Sequence, residues 1–268
     1  MRPANVLIAM ISIFVAAILC GPLEFWQNIL LACFSGGFIT AGANAINDYF
    51  DVEIDRINKP RRPIPSGAVT PRQTVFFSGF LFAGGIFLGF CINWLALLIS
   101  AISSIMLYIY SARLKGTVPF GNLTVSIATG LAFIYGGVAV GNVNNALFPA
   151  AFAFMMHFGR EIIKDIEDVD GDKQHRAYTL PVRFGLVSAK WLVSVIFFLL
   201  ILLTVIPFLL GIYGLWYFII VMVGVNSILV FSTLYMWKKS EKRDFSTLSV
   251  LLKADMLMGL LAIYAGRW

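Results

Sequence analysis

Nine predominantly apolar stretches divide the chain, at about 4–20, 27–48, 72–90, 94–110, 121–141, 146–165, 188–207, 213–237 and 246–266. At 1.5 Å of rise per helical residue, each approaches or exceeds the length needed to cross a bilayer. Gly-Pro at 21–22, Asn93, "GNVNN" at 141–145 and "PFLLGIYG" at 207–214 mark short connections on one side, and the intervening connections are longer and polar. The pattern predicts an all-α polytopic membrane protein with about nine transmembrane helices. The first run, "ANVLIAMISIFVAAILC", lacks a small-x-small cleavage site and reads as the first span rather than a cleaved signal. No Arg- and Ser-rich segment suggests import into an organelle.

Composition agrees. Of the 268 residues, 59% are hydrophobic and 13% charged, with a mean hydropathy of +0.86; a soluble domain carries roughly 25% charged residues. Cys20, Cys33 and Cys91 all fall in apolar runs without metal-ligand spacing and read as small buried hydrophobes. The net charge of +6 is distributed as an orientation signal. Arg56, Lys59, Arg61, Arg62 and Arg72; Arg113 and Lys115; Lys173, Arg176, Arg183 and Lys190; and Lys238, Lys239, Lys242 and Arg243 occupy one set of connections, and the alternate set holds no Lys or Arg. The positive-inside rule then places the N-terminus and the basic loops in the cytoplasm and the C-terminus outside, and leaves no nucleic-acid patch.

Topology does not explain the acids. Ten of the 14 lie in two clusters on the same basic side, four at 48–55 and six at 161–172, at the ends of the second and sixth spans. Asn47, Asp51 and Asp55 are spaced i, i+4, i+8, and Glu161, Asp165, Asp168 and Asp172 also form one helical stripe. Stacked carboxylates repel unless cations lie between them, and hard oxygen ligands beside a phosphate suit Mg²⁺. Asn47, Asp51 and Asp55 map onto Lys164, Asp168 and Asp172 at a constant offset of 117 residues. The offset spans four helices, so it predicts two weakly repeated, parallel halves whose acid clusters face each other. Asp51, Asp55, Asp168 and Asp172 would hold two or more Mg²⁺ ions around a diphosphate, with Arg61, Arg62, Lys115 and Lys164 on the remaining oxygens. The implied chemistry is transfer of an isoprenoid chain from its diphosphate, with a membrane cavity sheltering the carbocation.

"NDYFDVEID" resembles the NxxxDxxxD motif of the intramembrane UbiA-type prenyltransferases, with Asn47, Asp51 and Asp55 on the motif positions, and "KDIEDVDGD" resembles their second motif through Lys164, Asp168 and Asp172. "INKPRRPIPSG" and "TLPVRFG" match in kind and place, and "YSARLKGTVPFGN" resembles the loop that supplies a diphosphate-binding lysine, here Lys115. The resemblance implies one prenyltransferase domain over 1–268, a nine-helix bundle around a central cavity, Mg²⁺ dependence and a lateral opening to the bilayer. Asp48 and Asp165 join Arg61, Arg62 and Lys115 as candidate substrate contacts, and Asp165 or the released diphosphate would accept the proton. Within the superfamily, "REIIKDIEDVDGDK" is most similar in style to the archaeal digeranylgeranylglyceryl phosphate synthases. That similarity implies a geranylgeranyl diphosphate donor and a prenylated glycerol phosphate acceptor; the alternative is an aromatic or tetrapyrrole acceptor of the quinone or chlorophyll type.

Simpler readings compete. Glu53 and Asp170 fall off the stripes and read as solvent-facing, and Glu161 as a partner of Arg160 or Lys164. "DVDGDKQHRAYT" fails as a calcium loop at its sixth and twelfth positions, Lys173 and Thr179. His157 reads as a satisfied buried residue, and Lys253, with Asp255 nearby, as a side chain snorkelling to the interface. A cation or solute transporter would place its acids at mid-span in broken helices, rather than at one surface.

Overall fold

Every predicted span is helical in the computed structural model, which describes residues 3–174, 177–239 and 241–266, with the side chains of all of these but Asn58 and Gln174. The helices are α1 (Pro3–Cys20), α2 (Trp26–Phe50), α3 (Val52–Asn58), α4 (Pro71–Ile92), α5 (Trp94–Ile109), α6 (Phe120–Ala139), α7 (Leu147–Glu167), α8 (Val169–Gln174), α9 (Leu180–Leu209), α10 (Leu215–Ile220), α11 (Ser227–Lys238) and α12 (Lys242–Ala265). A π-helical turn, Tyr110–Leu114, extends α5, and another, Val221–Asn226, joins α10 to α11. Among the described residues nine helical stretches are long and apolar enough to cross a membrane.

Two helix starts differ from the pattern by four residues or more. α9 begins at Leu180, eight residues before the predicted start at 188, because Pro181 opens a helical turn that Gly185 (φ 85°, ψ 160°) then kinks. α12 begins at Lys242 instead of 246 because Glu241 and Asp244 form a reciprocal capping box.

Two compact units divide the chain: Met1–Lys115 with Leu131–Leu147, and Gly116–Gly130 with Phe148–Trp268. In the first, α2 packs against α1 and α4, and Ile13, Ala17, Ile29, Ala32, Tyr135 and Val138 contribute to its core. Small and hydroxylated residues let these helices approach. Ser35 Oγ donates to Gly85 O at 2.7 Å and lies 2.7 Å from Tyr135 Oη, and Ser78 Oγ donates to Gly42 O at 2.9 Å. Asn93 accepts from Ala96 N (2.8 Å), capping α5, and donates to Val138 O (3.2 Å).

Gly136 makes the closest of these approaches to a backbone atom, with Ala16 Cβ also 2.7 Å from where a Cβ would stand. A Cβ there would stand 2.5 Å from Ile13 O and 2.8 Å from Ala17 N, both backbone atoms of α1. Gly136→Ala is expected to cost about 1–3 kcal/mol by overpacking. Gly79→Ala, whose Cβ would meet nothing within 4 Å, should not destabilise. Thermal unfolding of the purified proteins in detergent checks this; equal melting of the two variants would refute it.

The second unit's core joins α7, α9, α11 and α12 through Ile162, Ile163, Val193, Phe197, Leu229 and Leu252. Arg160 Nε donates to Ser249 O at 3.2 Å and Tyr217 Oη to Thr204 O at 2.7 Å, so polar groups inside the spans tie neighbouring helices. Rings on the outer faces, such as Phe76, Phe80, Phe87 and Phe198, are exposed as lipid-facing residues are. Cys91 joins them: it is exposed, whereas Cys20 and Cys33 are buried, because α4 turns that face away from α2.

Candidate active site

The first motif straddles a helix break. α2 ends at Phe50, Asp51 has φ −86° and ψ 1°, and α3 starts at Val52. The stripe survives because Asp51 N donates to Asn47 O (3.0 Å) and Asp55 N to Asp51 O (2.8 Å) across the break. Asn47 Nδ2 donates to Asp51 Oδ2 at 2.9 Å, and Lys115 Nζ reaches the same oxygen at 2.5 Å. Arg62 bridges Asp48 (3.1 Å) and the buried Asp55. Burying a carboxylate is tolerable only with such a partner.

Local structure brings both cations there. After Lys59, successive turns run through Pro60, Pro63 and Pro65, with Arg62 N donating to Lys59 O (3.0 Å) and Ser66 N to Arg62 O (2.9 Å). Gly67 takes φ 77°, and Thr70 and Gln73 form the capping box that starts α4. The loop is therefore turned back over α2 rather than extended. Lys115 follows the π-helical turn, its N–H donating to Tyr110 O at 2.9 Å, and Gly116 at φ 77° redirects the chain. Such turns recur at functional sites. A cavity of about 740 Å³ lies against this motif, lined by Asp48, Asp55, Arg62, Arg72, Phe76 and Phe77 among others.

The second motif repeats the first. α7 ends at Glu167 and α8 starts at Val169, so the break falls at Asp168, 117 residues after Asp51. Asp168 N donates to Lys164 O and Asp172 N to Asp168 O, both at 2.9 Å. Asp172 accepts from Thr179 Oγ1 at 2.9 Å, seven residues on, as Asp55 accepts from Arg62 seven residues on. Lys242 Nζ lies 3.5 Å from Asp168. Asp165 accepts from Asn122 Nδ2 at 2.7 Å, and Glu161 pairs with Arg160 (3.0 Å) and Lys164 (2.8 Å).

Sequence and structure part company at several side chains. Of the adjacent arginines, Arg62 reaches the motif, while Arg61 is exposed and has no hydrogen bond or ion pair among the described residues. Lys164 holds Glu161 rather than a motif aspartate. Glu53 and Asp170 are exposed, as expected. His157 is not the satisfied residue that was expected: its buried Nδ1 has no partner among the described residues. Lys253 is exposed and Asp255 fully buried, with neither oxygen paired among the described residues, so nearness in sequence does not make them a pair; residues two apart point to different faces of a helix. Arg176 lies outside the described residues. Asn122, Thr179 and Lys242 were not singled out from sequence. Asn122 closes the "YSARLKGTVPFGN" stretch, and the 117-residue offset carries Arg62 onto Thr179.

The donor set suits Mg²⁺. Among the described residues no three His, Cys, Asp or Glu side chains gather as a metal cage. Each motif instead offers one or two carboxylates, the share Mg²⁺ takes when phosphate oxygens and water complete its shell.

Comparison with known proteins decides the family. The profile of the UbiA prenyltransferase family matches residues 7–259. The chain belongs to that family. With nine apolar helical spans among the described residues, this UbiA-family chain is a multi-pass membrane protein and an intramembrane prenyltransferase. It is 35% identical over 99% of its length, and 97% of the relative's, to a digeranylgeranylglyceryl phosphate synthase of Methanosphaera stadtmanae. A solved structure described as giving insights into digeranylgeranylglyceryl phosphate synthase in membranes superposes with a TM-score of 0.88 at 34% identity, covering 99% of this chain and 95% of that one. A UbiA homologue from Archaeoglobus fulgidus bound to GPP and Mg²⁺ shares the fold at a TM-score of 0.65 and 17% identity, with 96% of each chain covered.

Proposed function

We propose that this chain transfers a geranylgeranyl group from its diphosphate to the free hydroxyl of geranylgeranylglyceryl phosphate, forming the diether core of archaeal membrane lipids. The observation that carries the reading is the repeated motif: two helix breaks at Asp51 and Asp168, each flanked by i, i+4 partners and each with a lysine on its central aspartate. The acceptor and donor chain length rest on the digeranylgeranylglyceryl phosphate synthases it is similar to.

Both motifs serve the same transfer, as parts of a single domain. Asp51, Asp55, Asp168 and Asp172 would hold Mg²⁺, which when bound offsets the charge that grows on the leaving diphosphate. Lys115 and Arg62 add fixed positive charge beside the first motif, and Asn47 orients Asp51. The allylic C–O bond to the diphosphate breaks, and a C–O bond to the acceptor's hydroxyl oxygen forms. The hydroxyl proton leaves to the diphosphate or to a carboxylate; Asp165, held by Asn122, is this chain's candidate. The basic loops and the N-terminus face the cytoplasm and the C-terminus faces outside.

An acceptor panel with purified protein, geranylgeranyl diphosphate and Mg²⁺ tests the reading. Geranylgeranylglyceryl phosphate should yield the diether, while 4-hydroxybenzoate, homogentisate and a chlorophyllide yield nothing. Prenylation of an aromatic or tetrapyrrole acceptor, with none of the glycerol lipid, would replace it.

A further inference from the structure

The repeat extends beyond the acids. The 117-residue offset relates the two helix breaks and the residue that braces each third motif position, Arg62 for Asp55 and Thr179 for Asp172. Counting spans, the second to fifth correspond to the sixth to ninth, so the connection that carries Lys115 corresponds to the one that leads into α12. That second connection also delivers a lysine to a central aspartate: Lys115 reaches Asp51 and Lys242 reaches Asp168. We propose that Lys242 is the second half's counterpart of Lys115, a binding residue that contacts phosphate oxygens of a substrate gathered at Asp168.

Three features favour this over a charge merely retained on a basic loop. Lys242 is the first residue of α12, where the Glu241–Asp244 capping box sets its backbone and Tyr235 Oη donates to Asp244 at 2.8 Å. A cation in the first turn of a helix opposes the helix dipole, so helix stability does not account for it. Lys164 is spent on Glu161, and among the described residues Lys242 is the cation that meets the second motif's central aspartate. Its side chain is 72% exposed, free to move from Asp168 to an arriving phosphate. The positive-inside rule asks only for basic residues in this loop and is equally served by Lys238.

The inference rests on the reading of a phosphate-bearing substrate pair, and the experiment separates the two. Wild type, Lys242→Ala, Lys242→Arg and Lys238→Ala are assayed with geranylgeranyl diphosphate and geranylgeranylglyceryl phosphate varied in turn. Binding of inorganic diphosphate with Mg²⁺ and of glycerol phosphate is measured by calorimetry on the same proteins. Losing one charge-assisted hydrogen bond predicts about a tenfold rise in KM for one of the two substrates in Lys242→Ala. The substrate affected identifies the phosphate, with affinity for the matching headgroup falling in parallel, Lys242→Arg recovering most of the loss and Lys238→Ala behaving as wild type. A wild type that binds these headgroups without making the diether would count against the acceptor reading, and Lys242 would still be decided by the binding measurements. Lys242→Ala within about twofold of wild type in both KM values and both affinities, or an equal loss in Lys238→Ala, would overturn the assignment.

Discussion

Asp168→Ala will lower Mg²⁺-dependent prenyl transfer by about a hundredfold or more, while leaving the thermal midpoint nearly unchanged. The two effects separate at this residue because its carboxylate is 59% exposed and, among the described residues, is met only by Lys242 at 3.5 Å. Removing an exposed group with so weak a partner changes stability by about 0.5 kcal/mol or less. Asp51→Ala, Asp55→Ala and Asp172→Ala should lose activity to a similar degree. Asp55 differs in stability: it is buried against Arg62, so its loss leaves that guanidinium with Asp48 alone and is expected to cost about 1–3 kcal/mol. Rates and melting curves across a Mg²⁺ titration distinguish these outcomes. Any of the four variants keeping more than about a tenth of wild-type turnover would remove that carboxylate from the proposed metal set.

Lys115→Ala should raise the KM for prenyl diphosphate or lower kcat, by about ten- to a hundredfold in kcat/KM. The lysine shares Asp51 Oδ2 with Asn47, is itself 41% exposed, and meets an aspartate only 13% exposed. It can therefore turn toward an incoming phosphate while Asn47 keeps the carboxylate oriented. Lys115→Arg keeps the charge at a different reach and should recover part of the loss. If both kinetic parameters of Lys115→Ala match wild type, the lysine serves only to neutralise Asp51.

Several features were readable from residues alone. The length of the apolar runs sets the spans, because a helix must pair its own backbone groups in lipid and needs about 20 residues to cross it. The i, i+4, i+8 spacing of Asn47, Asp51 and Asp55, and its recurrence 117 residues later, marks both candidate motifs before any coordinate is known. The fall of each break on a central aspartate was not legible, because the i→i+4 spacing reads the same whether the helix is continuous or bends there.

Partner choice lies beyond the sequence pattern. Arg61 and Arg62 are equivalent as composition, and only the turns through Pro60, Pro63 and Pro65 aim one of them at Asp48 and Asp55. Thr179 and Asn122 meet the candidate motifs through side-chain contacts with Asp172 and Asp165, and Lys242 through a contact 74 residues away in sequence. Periodicity along a helix specifies which face a residue occupies. Which carboxylate meets which cation depends on loops whose ends are anchored by separate helices, and that pairing is decided only once the chain has folded in three dimensions.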